Sequence, residues 1–326
     1  MSPPRLAFAA ALFSLLPLAA CAATRPAAYK GAIVMAADTG QVLFAENPDV
    51  VSPPASMTKL MTFAVLDDAL ARGSLGLQTR VVVVPGDTRA APSIIGLKKD
   101  ESFPIEELIY AMMLHSANDA ALAVAREVGG SVPAFVGLMN AKARALGMAH
   151  TTFRSPHGLP PPSRRIADGD LTTPRDFTIL CRYLLLHTDI LKYTSVRTRL
   201  FGVGFRFPPT PMTNHNHLLG SIEGVDGLKT GFTNGAGFCL AATALRNNRR
   251  IIVVMMDSPD AKDRDLAVAD LIRRGFASLP VFGPDSPMRA DAAAAPAAGA
   301  ASGALAPPTR PAPAGPLPSI QFTPPR

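Results

Sequence analysis

Pro54-Ala55-Ser56-Met57-Thr58-Lys59-Leu60-Met61-Thr62 decides the reading of this 326-residue chain. Leu60, Met61, Phe63, Ala64, Val65 and Leu66 supply an apolar side, which predicts a helix over 56–72. Residues three apart on a helix share a face, with Cβ atoms about 5–6 Å apart, so the Lys59 amine reaches the Ser56 hydroxyl. A serine hydroxyl is a poor nucleophile at neutral pH and needs an adjacent base. A lysine, ordinarily of pKa about 10.4, acts as that base only where burial or nearby cations keep it neutral. The start of a helix adds to the effect, because its dipole disfavours an ammonium and favours negative charge developing on oxygen. Ser56 and Lys59 are therefore the candidate nucleophile and base.

Two further segments extend the pattern. Ser116-Ala117-Asn118 lies between two helical patterns, and Lys229-Thr230-Gly231 lies near the end of the chain's apolar region. Each has a plain reading when taken alone: Ser-x-x-Lys suits a polar helix surface, Ser-x-Asn suits a helix N-cap, and Lys-Thr-Gly suits a turn. The surroundings of the third segment favour more. It precedes two β-like runs, 238–245 and 251–256, joined by the hairpin-like Arg246-Asn247-Asn248-Arg249. That order places Lys229 and Thr230 on or beside a strand.

Together the three segments resemble the active-site motifs of low-molecular-mass penicillin-binding proteins of the D-alanyl-D-alanine carboxypeptidase type, serine peptidases of the S11 class. Gly40-Gln41-Val42-Leu43, Asn118-Asp119-Ala120, Asn216-His217-Leu218-Leu219 and Val225-Asp226-Gly227-Leu228 are similar to family segments as well, so the resemblance runs over about 29–279. It implies that Ser56 forms an acyl-enzyme with the penultimate D-alanine of a peptidoglycan stem peptide, that Lys59 is the base for acylation, and that Ser116 relays protons or holds Lys59 and Lys229 in a network. It further implies that Asn118 positions the substrate amide, that Lys229 and Thr230 meet the terminal carboxylate, and that Gly231 leaves room for the peptide against a strand edge. The oxyanion hole is expected from backbone N–H groups of Ser56 and of Phe232 or Thr233. Arg264 corresponds to a family arginine at the terminal carboxylate; the other reading of it is a solvated position on the last helix. The chemistry calls for no metal and no cofactor, and β-lactams are the expected covalent inhibitors.

Two departures stand out. His215 sits where a relative can carry Arg, and Phe232 follows Lys-Thr-Gly where some relatives carry His. Two alternatives also stay in play: a serine β-lactamase, and a catalytically idle penicillin-sensing or wall-binding module. Class A β-lactamases deacylate with a glutamate between the second and third motifs, and no Glu occurs between Glu127 and Glu223 here. Slow release of penicillin is therefore expected. Intact motifs argue against the idle module.

The remaining sequence bounds the architecture. A 48% hydrophobic content suffices for a large core, and a net charge of +7 suits an anionic envelope surface. No concentrated Lys/Arg patch with interleaved aromatics suggests nucleic acid. Arg5 followed by the apolar 6–18 reads as an export signal over 1–22, which points to the periplasm or cell envelope. Leu18-Ala19-Ala20-Cys21 resembles a lipobox, making Cys21 a candidate lipid attachment site and membrane tether; ordinary signal cleavage there remains open. Cys181 and Cys239 are expected as separate buried thiols, with a bridge also open. Fold class is α/β in the α+β sense: an antiparallel sheet flanked by helices plus a helical lobe, β-lactamase/transpeptidase-like. The predicted order is a hairpin from 32–37 and 41–45, helix 56–72, strand 80–84, helices 104–114, 119–129, 133–146 and 174–186, the strands after Gly227, and helix 261–278. A peptidase domain over 27–279 gives way to an Ala/Pro-rich tail, 280–326, expected to be disordered. Oligomeric state is not readable from these features.

Overall fold

Hydrophobic strands that read as continuous runs, without polar alternation, require a sheet covered on both faces, and this is what the chain builds. The computed structural model describes residues 29–279. The export segment 1–22, Cys21 and the tail 280–326 lie outside the described residues.

In chain order the elements are β1 (Gly31–Ala36), β2 (Val42–Glu46), a 3-10 turn (Ala55–Thr58), α1 (Lys59–Ala71), β3 (Arg80–Val82), β4 (Ser102–Pro104), α2 (Ile105–Met113), α3 (Asn118–Gly129) and α4 (Val132–Ala145). There follow α5 (Pro174–His187), α6 (Ile190–Thr194), β5 (Thr198–Phe201), β6 (Thr210–Thr213), β7 (Val225–Thr233), β8 (Gly237–Arg246), β9 (Arg249–Ser258) and α7 (Ala261–Ser278). Five strands form one sheet in the order β2-β1-β9-β8-β7, every neighbouring pair antiparallel. The antiparallel α+β expectation holds.

Alternation along the strands sorts the core in two. Ile33, Ala241, Ile252, Val254 and Met256 face the helical lobe, where they join Leu60, Phe63, Phe177 and Leu180. Val34, Leu240, Ala242, Val253 and Met255 face the other way and pack with Val268, Leu271 and Ile272 of α7. Every residue of α1 from Lys59 to Leu66 is buried, as expected of a helix that is apolar all round. Lys59 thereby lies in the interior of the lobe.

Three boundaries differ from the sequence reading in ways that matter. The predicted helix from residue 56 starts instead as the 3-10 turn, and α-helix proper begins at Lys59. Ala55, the first residue of that turn, stands at φ 48° in the left-handed region. Ser-x-Asn does not act as an N-cap: Ala117 occupies that position without a side-chain cap, and Asn118 is the first residue of α3. Of the short elements only β3 was foreseen; β4, β5, β6 and the five-residue α6 were not, since runs of three to five residues carry too little periodicity to read. Among the described residues no single helix is long and apolar enough to cross a membrane.

β7 is an edge strand, and it is the strand that carries Lys229-Thr230-Gly231. Its neighbour on the open side is the 3-10 turn holding Ser56. A Cβ on Gly231 would lie 2.6 Å from Pro54 O and 3.2 Å from Met57 N, and a Cβ on Gly158 would lie 1.9 Å from Ala55 O. The 2.6 Å and 1.9 Å approaches are below what real Cβ atoms tolerate, so two glycines let their segments close on the turn. Gly231 was expected to leave room for the peptide; it lines the cleft beside Ser56, and the side where a Cβ would stand meets the Ser56 turn.

Candidate active site

A cleft of about 350 Å³ brings together Ser56, Ser116, Thr230, Gly231, Phe232 and Arg264, with Pro92, Ser93 and the histidines 215 and 217 at its margins. The turn supplies Ser56, the loop before α3 supplies Ser116, β7 supplies the Thr230 wall and α7 supplies Arg264. Residues more than 200 positions apart thus share one surface.

Lys59 Nζ donates to Ser56 Oγ at 3.0 Å, to Asn118 Oδ1 at 2.7 Å and to the carbonyl of His157 at 3.0 Å. Three acceptors match the three donors of an ammonium. Burial pushes the amine well below the ordinary lysine value, and the charge of Lys229 adds to the push; Asp170 and Asp119 oppose it. The result is a lysine primed to give up its proton beside a serine. The carbonyl of His157 escaped the sequence reading, because any residue type can present it.

Asn118 is committed within the protein: its Oδ1 accepts from Lys59 and its Nδ2 donates to Pro92 O. In this state it orients the base, with one N–H and one oxygen lone pair left over for the expected contact with a substrate amide. Ser116 Oγ is buried without any hydrogen-bond partner, and the residue sits at φ 60°. It joins neither Lys59 nor Lys229, unlike the expected network. A buried hydroxyl left unsatisfied on the wall of a cleft, on a left-handed backbone, is the kind of exception that calls for a ligand.

Lys229 is buried and donates to Thr230 O at 3.2 Å. It does not line the cleft, whereas Thr230 and Arg264 do. Burial, and then the charge of Arg264, pushes Lys229 down to about 7. Arg264 is only 4% exposed, which sets aside the solvated-helix reading. Its guanidinium is held by Asp265, Nε at 2.9 Å and the terminal amino group at 2.7 Å. Thr233 ends β7 and lines a neighbouring cavity, its hydroxyl accepting from Ala236 N at 3.1 Å.

At the margin, burial first and the nearby Lys229 second push His215 down to about 4. It is neutral at neutral pH and supplies no positive charge where a relative can carry Arg. Phe232 is half exposed and stacks on Phe238, with ring centroids 4.1 Å apart, so an apolar face replaces the polar ring some relatives carry.

Two carboxylates outside the predicted set hold the site together. Asp170, buried, accepts from Thr58 Oγ1 at 2.9 Å, Arg154 N at 2.6 Å, Ser155 N at 2.9 Å and Ser155 Oγ at 3.0 Å. It ties the Ser56 turn to the loop that presents His157. Asp119 accepts from Ile95 N and Leu97 N and so anchors the segment beside Pro92 and Ser93. Among the described residues no three His, Cys, Asp or Glu side chains group so as to hold a metal. Cys181 and Cys239 are free and buried, as favoured, and burial pushes the Cys239 thiol up to about 12.

An antiparallel sheet whose edge strand carries Lys-Thr-Gly opposite a Ser-x-x-Lys turn and a Ser-x-Asn loop defines the penicillin-binding, transpeptidase-like class. A sequence profile of the D-alanyl-D-alanine carboxypeptidases, peptidase S11, matches residues 20–260; the chain belongs to this family. It is 32% identical over 249 residues to D-alanyl-D-alanine carboxypeptidase DacF of Bacillus subtilis, covering 76% of this chain and 62% of that one. With DacA of Escherichia coli K12 the identity is 34% over 247 residues, covering 73% and 58%. The match thus spans about three-fifths of the length of these two relatives. Penicillin-binding protein D2 of Listeria monocytogenes, in its ampicillin-bound form, has a similar structure with a TM-score of 0.68 and 31% identity, covering 76% of this chain and 98% of that one.

Proposed function

We propose that this chain is a serine-type D-Ala-D-Ala carboxypeptidase that trims peptidoglycan pentapeptide stems and is acylated by β-lactams. The observation that carries the reading is the three-way hold on Lys59 beside Ser56. Its support is family membership and the likeness to an ampicillin-bound structure.

In this reading Ser56 Oγ attacks the carbonyl carbon of the penultimate D-alanine while its proton passes to neutral Lys59 Nζ. The C–N bond to the terminal D-alanine breaks, and the proton reaches the leaving amine through the Ser116 hydroxyl, whose hydrogen-bonding capacity is otherwise unused. Thr230 Oγ1 and the Arg264 fork meet the terminal carboxylate directly. Lys229, one layer behind, contributes its charge through the buried site. Water then hydrolyses the ester at Ser56, returning the acyl chain as a carboxylate and the proton to the enzyme.

A β-lactamase reading fits less well. The buried carboxylate nearest the Ser56 turn, Asp170, is saturated by four hydrogen bonds, so it is not free to activate a deacylating water. Export to the periplasm or envelope, with tethering through a lipidated Cys21 as an additional step, rests on the sequence of residues 1–22.

The test is mass spectrometry of the mature protein incubated separately with penicillin and with a peptide ending in D-Ala-D-Ala. A long-lived adduct on Ser56 together with free D-alanine is expected. Adduct without D-alanine would favour the sensing module, and rapid turnover of penicillin would favour the β-lactamase.

A further inference from the structure

Beyond Ser56 along β7, past Phe232, a second cavity of about 350 Å³ lies against the chain end of the strand. Thr233, Asn234 and Gly235 form one side with Pro53, which leads into the Ser56 turn; the loop 158–170 forms the other. The reaction proposed above gives this cavity a direction. With the terminal carboxylate at Thr230 and Arg264 and the scissile carbonyl at Ser56, the acyl side of the substrate continues toward Thr233. An extended chain advances about 3.3 Å per residue, so the first or second residue before the penultimate D-alanine comes level with Thr233 to Gly235.

The charges of the cavity are unevenly satisfied. Asp170, its carboxylate, is occupied by Thr58, Arg154 N and Ser155. Arg165 stands 3.9 Å from Asp168. Arg164 has no ion pair and no side-chain hydrogen bond among the described residues; only its backbone N–H is used, donating to Pro161 O at 2.9 Å. Its φ of 56° lies in the left-handed region, an uncommon place for a long side chain and one that recurs at ligand clamps. Leu159, Pro161 and Ile166 add an apolar wall. The free charge is positive, and the shape suits an aliphatic side chain ending in a carboxylate.

We propose that this cavity is the acyl-side subsite of the enzyme and that Arg164 selects substrates carrying a carboxylate one or two residues before the penultimate D-alanine. The inference rests on the carboxypeptidase reading. Guanidinium and carboxylate match in planar geometry, and the contact is solvent-facing, so it weakens as salt rises.

The experiment uses two pairs of N-acetylated peptides ending in D-Ala-D-Ala, the members of each pair differing only in Glu against Gln at the first or the second position before the penultimate D-alanine. For the wild-type protein, kcat/KM should favour the Glu member of at least one pair by about threefold to tenfold, the span of one exposed charge-assisted contact, with the preference falling in high salt. Arg164→Gln should bring that ratio close to one, Arg164→Lys should keep part of it, and Arg165→Gln should change it less. A wild-type ratio near one, or an Arg164→Gln variant that loses both members equally, would overturn the assignment; the second result would give the residue a role in loop shape alone. Failure of the wild-type protein to release D-alanine from all four peptides would bring down the carboxypeptidase reading and this inference with it.

Discussion

Ser56 Oγ and Lys59 Nζ stand 3.0 Å apart across the point where a 3-10 turn passes into α1. The turn gives the serine its exposure to the cleft, and the helix carries the lysine into the core. In the proposed reaction, attack and proton acceptance are thereby split between two environments, one wet and one dry, within a single turn of chain.

Removing the base tests that arrangement. Lys59→Ala should slow penicillin acylation by about 10²- to 10⁴-fold, the usual contribution of a positioned general base, while Ser56→Ala abolishes the adduct. Circular dichroism should show both variants folded. Wild-type acylation rates in Lys59→Ala would remove the lysine from its assigned role.

The pH profile follows from two depressed lysines. Lys59 must be neutral to accept the serine proton, so kcat/KM should rise with pH at the acid side. Lys229 must be charged to support carboxylate binding, and burial with Arg264 beside it brings it down to about 7. KM for a D-Ala-D-Ala peptide should therefore climb above about pH 7, so that kcat/KM falls on the alkaline side. A KM that stays constant from about pH 6 to 9 would contradict the Lys229 assignment.

Lys229→Met should trade activity for stability. Between about 7 and the ordinary lysine value of 10.5 the unfolded chain holds a proton that the folded chain has released, so the lysine's contribution makes stability rise with pH in that window. At pH 7 and below the folded state bears the burial penalty. The variant should raise stability there by about 1–4 kcal/mol and flatten the slope, with peptidase activity lost. Thermal melts from pH 6 to 10 would show this; a lower Tm at pH 6 would argue against it.

Gly231→Ala should harm both stability and chemistry, because its methyl would enter 2.6 Å from Pro54 O and force back the turn that carries Ser56. Overpacking of this kind costs about 1–3 kcal/mol. The penicillin acylation rate is the sharper readout, since a shift of the turn also opens the 3.0 Å contact to Lys59.

Asp170 offers a contrast between two replacements. Its Oδ1 takes two backbone N–H groups and its Oδ2 takes the hydroxyls of Thr58 and Ser155. In Asp170→Asn the amide oxygen can keep the backbone pair while the hydroxyls rotate to accept from the new NH2, so the loss should stay within about 1 kcal/mol. Asp170→Ala strands all four donors and should cost about 2–4 kcal/mol. Urea denaturation of the pair measures the difference, and equal losses would dismiss the clamp.

Ser56 and Lys59 were legible as a pair because a nucleophile and its base three residues apart share a helical face; Ser116, Asn118, Lys229, Thr230 and Gly231 were legible only through the resemblance of their segments to a known family. Arg264 was legible as a candidate only: a helix with Lys262, Asp263, Arg264 and Asp265 in succession does not reveal which charge turns inward. His157 left no trace because its backbone carbonyl does the work, and Asp170 left none because a carboxylate that clamps a turn looks like any loop carboxylate.

The order of the longer strands and helices, the hairpin at Asn247-Asn248 with both residues at positive φ, and the pairing of nucleophile with base all follow from short-range patterns that the amino-acid sequence contains by itself. Tertiary structure decided the protonation state of the lysines, the commitment of Asn118 to Lys59, and the close approach of Gly231 and Gly158 to the Ser56 turn. Those properties depend on desolvation and on contacts between segments up to about two hundred residues apart, and neither exists until the sheet edge, the helical lobe and the loop 158–170 close around one another.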